Sequence, residues 1–305
     1  MGDPRSDRTT VDEPVDLTTP SERWLWKKDT LREPTILQSF AFDEVNGHLY
    51  VLQVTEGGGE AGDLCLTRLD QDGDRLGHMY LPGFGHGVSM GVQNASDGTV
   101  WIWTEADAVD GYGQGVTRFR FVDGATRTRA QVHVRRPVPG STGNQPAVCM
   151  ATRRIAVRHR VDGVPRYRVW DLDAFVAGDY TAHLADFPQT GAHPDPAVPF
   201  QGYALHGDHL YQLAGAAYDE TANPPSGHGN TYVSRLDVRT GALMQRARTE
   251  AGYSLDHREP EGLAVRRAGG LRLCIGLASG ERGARRFSVY CKPLTPPEPQ
   301  SPDVV

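Results

Sequence analysis

Residues 37–53, LQSFAFDEVNGHLYVLQ, read as one unit: an apolar run, a tight Asn-Gly turn and a second run rich in apolar and aromatic residues. That is the signature of two antiparallel strands joined by a short hairpin. The unit returns in GVSMGVQNASDGTVWIW from Gly87, QPAVCMATRRIAVRH from Gln145, FQGYALHGDHLYQL from Phe200 and PEGLAVRRAGGLRLCIGL from Pro260. Its register residues, Gln38, Val88, Gln145, Gln201 and Glu261, stand 50, 57, 56 and 60 residues apart. This is the period of a repeat array and not of one sandwich or one βαβ unit.

Each unit continues into a third strand, LCLTRLD, VTRFRFVDG, RYRVWDLD, TYVSRLDVRTG and FSVYCKP. A fourth follows in LGHMYLP, AQVHVRR, YTAHLAD and ALMQRART, while the fifth unit runs into proline after Cys291. The expected fold is all-β: a five-bladed β-propeller of four-stranded antiparallel blades. ERWLWKK from Glu22 supplies the missing strand, so that Trp24, Leu25 and Trp26 close the ring and cover an open edge. Almost no helix is expected. The predicted organisation is a disordered tail over 1–20, a propeller over 21–293 and a Pro-rich tail over 294–305.

The chain has 305 residues, a net charge of −6, a pI near 6.0 and 23% charged residues. Without a basic excess, duplex nucleic acid is excluded as a partner. No apolar run reaches the length of a membrane helix, so membrane insertion is not expected, and a monomer is. The first twenty residues hold no export signal, which reads as cytoplasmic as written and as secreted if a signal was removed. The four cysteines do not form a scaffold. Cys274 and Cys291 lie equally far from the SGERG turn, either as facing partners or, the weightier reading, as two buried small residues.

Turns between first and second strands are tight, whereas second-to-third and blade-to-blade links are long and variable; propeller topology puts both variable classes on one face. Function is expected there. Gln38, Gln145, Gln201 and Glu261, with His86 beside Val88, form a polar ring at the channel mouth that suits hydroxyl or phosphate ligands or is simply structural. LDHREPEGL gathers Asp256, His257, Arg258, Glu259 and Glu261. It serves acid-base work, anion clamping by Arg258 or a salt-bridged loop. Glu56 and Glu105 end two second strands in matching Thr-Glu pairs and are candidate ligands for a divalent cation such as calcium, the one cofactor considered. No phosphate-loop, HExxH or nucleophile-elbow context is present.

TLREPTILQSFAFDEVNGHLYVLQ, GDLCLTRLDQDGDRLGHMYLPGFGHGVSMGV, GTVWIWTE and EPEGLAV resemble the TagC-like group, over roughly residues 22–291. That group is named for a protein associated with teichoic acid biosynthesis, and its propeller is shared with phage receptor-binding proteins that attach to wall teichoic acid. The resemblance implies a five-bladed propeller connected with polyol-phosphate polymers of the cell envelope. The leading expectation is a propeller binding a hydroxyl- and phosphate-rich glycopolymer through Gln38, His86, Gln145, Gln201, Arg258 and Glu261, with Lys28 nearby. The alternatives are a glycan or phosphodiester hydrolase or lyase using Glu261 with His86 or His257, and a protein-interaction platform.

Overall fold

The structure is a computed structural model and describes residues 14–293. Strand β1 (Glu22–Lys28) comes first in the chain. Blade 1 is β2 (Leu37–Asp43), β3 (His48–Val54), β4 (Leu64–Leu69) and β5 (Arg75–Leu81). Blade 2 is β6 (Gly91–Asn94), β7 (Val100–Val109) and β8 (Tyr112–Phe119). Blade 3 is β9 (Thr142–Cys149), β10 (Arg154–Val161), β11 (Val164–Asp171) and β12 (His183–Pro188). Blade 4 is β13 (Phe200–His206), β14 (His209–Ala214), β15 (Tyr232–Asp237) and β16 (Leu243–Arg248). Blade 5 is β17 (Glu259–Arg266), β18 (Arg272–Ser279) and β19 (Arg286–Pro293), with β1 added outside β19.

The ring therefore closes through the N-terminal strand as its apolar residues demand: Leu25 is buried and pairs with Val289. Trp24 packs on Phe42 of blade 1, joining the last blade to the first. Inter-blade layers are apolar and aromatic, with Trp103, Tyr167, Trp170, Tyr203 and Tyr211 all buried. The channel is narrow in its middle section, about 60 Å³, and is lined there by two or three apolar positions from each blade, Phe40, Met90, Ala147, Tyr203 and Leu263 among them. This middle section is a packed core, while toward the tight-turn end the five inner strands open into a cavity of about 340 Å³ lined by Phe42, Val92, Val148, Leu205 and Val265.

Local features depart from or add to the sequence reading. The fourth strand expected in AQVHVRR is reduced to a single bridge between Val116 and Arg135. A 3-10 turn at Arg129–Gln131, boxed by the Thr128 and Gln131 side chains, takes up the chain before it can pair. The link between β11 and β12 is a short helix, α1 (Leu172–Ala177), capped by Asp171 and ended by Gly178 in the left-handed region. The boundary read at residue 20 also falls too late. Val15 and Leu17 are fully buried against blades 4 and 5, and the Lys292 ammonium donates to the Thr19 carbonyl at 2.6 Å. The rest of the expected first tail, residues 1–13, and the Pro-rich tail, residues 294–305, lie outside the described residues.

Cys274 and Cys291 face each other on β18 and β19 and are joined by a disulfide, against the weightier reading of two separate small residues. The free thiols, Cys65 and Cys149, are buried. No helix among the described residues is long and apolar enough to cross a membrane.

Candidate functional site

The inner strands share an irregularity that positions their first residues. Pairing shifts at Gln38 between Leu37 and Ser39, at Gln201 between Phe200 and Gly202, and over Glu261 and Gly262 between Pro260 and Leu263. Each is a bulge, which re-aims a side chain at the end of a ladder. In blade 3 the irregularity spans Gly143 and Asn144. Asn144, not Gln145, thus stands in register with Gln38, Gln201 and Glu261, and the sequence alignment was one residue off. The Asn144 amide donates to the Gly113 carbonyl, and its Oδ1 accepts from the Ser141 hydroxyl. Gln145 is buried, and its Oε1 accepts from Arg158 at 3.0 Å.

Gly262 packs so closely on Ser39 that a Cβ there would meet its Cα at 2.8 Å, which places Glu261 beside Gln38. Glu261 is 5% exposed. Burial, and then the charge of Glu259, holds its pKa well above the ordinary value of 4.5.

The polar cluster in LDHREPEGL is divided by the fold. His257 Nε2 lies 2.9 Å from Glu259 Oε2 in a partly exposed pair, and Asp256 is exposed, near Lys27. Arg258 is completely buried, contrary to its assignment as an anion clamp. Its guanidinium donates to the carbonyls of Ala251 and Thr249 and to the Thr231 hydroxyl, so it ties the blade 4 to blade 5 link together. Lys28 is likewise engaged, with Asp74 at 2.8 Å.

Glu105 is also misassigned. Its Oε1 accepts from the backbone N–H groups of His86 and Gly87, and its Oε2 from that of Gly113. A Cβ at Gly85 would collide with this carboxyl, which explains the glycine. Burial pushes the Glu105 pKa up to about 7, against the pull of the three N–H donors. With both oxygens spent on the loop, it does not form a cation site with Glu56. No group of three or more His, Cys, Asp or Glu among the described residues could hold a metal ion.

What Glu105 organises is His86. The imidazole stacks on Tyr112, centroids 5.6 Å apart and planes 18° from parallel. Desolvation lowers its pKa, which favours the neutral ring. It faces a cleft of about 330 Å³ on the variable-loop side, where blades 1, 2 and 5 meet. Gln38, Glu56, Thr35, Arg282 and Arg285 complete the polar lining, and Pro34, Ile36 and Val54 its apolar part. The cleft offers two guanidinium groups, a carboxylate, an amide and an imidazole, the donor and acceptor set that a phosphate flanked by hydroxyls requires.

Of the expected binding residues, the fold brings Gln38 and His86 to this cleft, together with Glu56, expected as a cation ligand, while Glu261 starts the strand packed beside Gln38. It sets Gln145 and Arg258 into the structure. Arg282 and Arg285 were missed. They sit in the second-to-third strand link of blade 5, and their proximity to Gln38 follows from ring closure and not from chain distance.

Residues 36–291 match the family described as phage 5-bladed beta propeller receptor binding platform domain. A Bacillus subtilis (strain 168) protein with the provisional name major teichoic acid biosynthesis protein C is 27% identical over 271 residues, covering 85% of this chain and 59% of that protein. The chain thus spans less than two thirds of that relative's length. The tail fibre of Staphylococcus aureus phage P68 superposes with a TM-score of 0.70 at 17% identity, over 90% of this chain and 53% of the fibre chain. That likeness is one of fold.

Proposed function

The chain belongs to the phage five-bladed β-propeller receptor-binding platform family, and from that premise we propose that it is a binding platform for a polyol-phosphate glycopolymer of the teichoic acid type. The reading goes with the family description and with the teichoic acid name of the Bacillus subtilis relative. The single observation that carries it is the cleft lined by Gln38, Glu56, His86, Arg282 and Arg285 on the variable-loop face. The arginines take a phosphodiester, whose planar oxygen pairs match the guanidinium fork, while Gln38 and Glu56 take polyol hydroxyls. A cation bridging Glu56 to the phosphate is part of the proposal to be tested, since the chain's overall charge opposes an anionic ligand.

The test is calorimetric titration of a poly(polyol phosphate) and of an uncharged glycan of similar size, each with and without calcium. The phosphate polymer is expected to bind, and Arg285→Ala to weaken it about tenfold, as loss of a charge-assisted contact does. Equal affinity for the uncharged glycan would overturn the reading. A hydrolytic role has one observation in its favour, the buried Glu261, whose pKa burial raises, on the strand that packs against the start of β2. Release of monomeric product from the bound polymer, lost in Glu261→Gln with binding retained, would establish it.

A further inference from the structure

A second cavity, about 390 Å³, opens on the same face between blades 3 and 4. Arg158, Arg160, Gln189, His193 and Phe200 are among the residues that line it. Arg158 is 3% exposed, yet its hydrogen-bond acceptors are neutral: Gln189 Oε1 at 2.7 Å and Gln145 Oε1 at 3.0 Å. Its guanidinium lies 4.2 Å from the centroid of Phe200. A carboxylate in the cavity wall, Asp195, accepts from the Ala197 N–H, and no ion pair to Arg158 or Arg160 occurs among the described residues. The Glu105 carboxyl acts on Arg158 electrostatically but makes no ion pair with it, and a buried cation whose hydrogen-bond acceptors are neutral favours an incoming anion.

The walls of the two cavities meet at one aromatic ring. His86 lines the first and stacks on Tyr112; the Arg160 guanidinium, which lines the second, lies 5.6 Å from the centroid of the same Tyr112 ring. Tyr112 is itself fixed to blade 3, because Gln114 donates both to the Tyr112 carbonyl and to the Thr142 hydroxyl.

We infer that the Arg158–Arg160 cavity is a second anion subsite, joined to the first cleft by the His86–Tyr112–Arg160 ledge, so that the ligand is read as consecutive phosphate-bearing repeats. The inference rests on the reading under Proposed function for its first cleft. Linked subsites convert the second contact into an intramolecular one, so affinity per molecule should climb with ligand length until both are spanned and then level off.

The experiment titrates the full chain with polyol-phosphate oligomers of increasing length, in wild type, Arg160→Ala, Tyr112→Ala and Arg285→Ala. Arg160 and Tyr112 are partly exposed, so these changes leave the blade cores in place; circular dichroism and melting curves confirm folding. The expected result is at least about tenfold tighter binding of long oligomers than of a single repeat, with the length dependence flattened in all three variants. Length dependence that survives Arg160→Ala and Tyr112→Ala but disappears in Arg285→Ala would overturn the second subsite and leave the first standing. Absence of binding to any oligomer would overturn both.

Discussion

Two buried carboxyl groups set the chemistry of the channel mouth in opposite ways. Glu105 spends both oxygens on three backbone N–H groups and so fixes the Gly85–Gly87 loop that presents His86. Glu105→Ala should cost about 3 kcal/mol, because it strands buried donors, and should disorder the His86–Tyr112 stack; denaturant midpoints and the His86 ring signals in NMR check both. Glu261 accepts from no such donors among the described residues, and its pKa is raised from 4.5 by burial and by Glu259. The folded protein then holds a proton that the unfolded chain has released, so this contribution is complete below pH 4.5 and is lost as pH rises toward the folded pKa. Relative to wild type, Glu261→Gln should therefore gain stability as pH rises from 4.5 to 8, by about 1.4 kcal/mol for each unit by which the folded pKa is raised. A difference between the two proteins that stays flat across urea melts at several pH values would refute this.

At the scale of elements, blade identity was written in hairpin chemistry: Asn46-Gly47 and Asp97-Gly98 mark the inner turns, and both glycines adopt positive φ. The bulges are not legible in the sequence, since an extra residue leaves no compositional mark, and spacing alone points to Gln145 for the register position that Asn144 occupies. Residues 14–19 escaped notice for a related reason. Two apolar residues among polar and proline neighbours have no period, although Val15 and Leu17 fill a gap beside Tyr211, whose hydroxyl accepts from the Val15 N–H. Leu17→Ala should lower stability by about 2–5 kcal/mol, the range for truncating a buried leucine. Deletion through residue 20 should do so by more, although β1 remains, and thermal melts of both variants check the order.

For the whole molecule, closure decides both stability and site. Blade 5 borrows β1 from the other end of the chain, and the same closure sets Arg282 and Arg285 against Gln38. Sequence spacing carries no record of that contact, which is why the five-bladed fold could be read while half of the cleft could not. The Cys274–Cys291 disulfide sits at this closure, pinning β18 to the strand on which β1 hangs. It spans 17 residues already paired as a hairpin. Loop-closure entropy allows it about 3 kcal/mol, less whatever the reduced hairpin retains. Every blade packs on two neighbours, so the loss must be shared by the ring and not confined to blade 5. The Cys274→Ser, Cys291→Ser double variant should accordingly unfold in one transition at a lower midpoint, with the denaturant slope unchanged. Fluorescence from Trp24 and Trp26 in blade 5 and from Trp103 in blade 2, isolated by substituting the other tryptophans, should report the same midpoint. Early loss of the blade 5 signal with blade 2 intact would show that the ring opens at its seam before it unfolds.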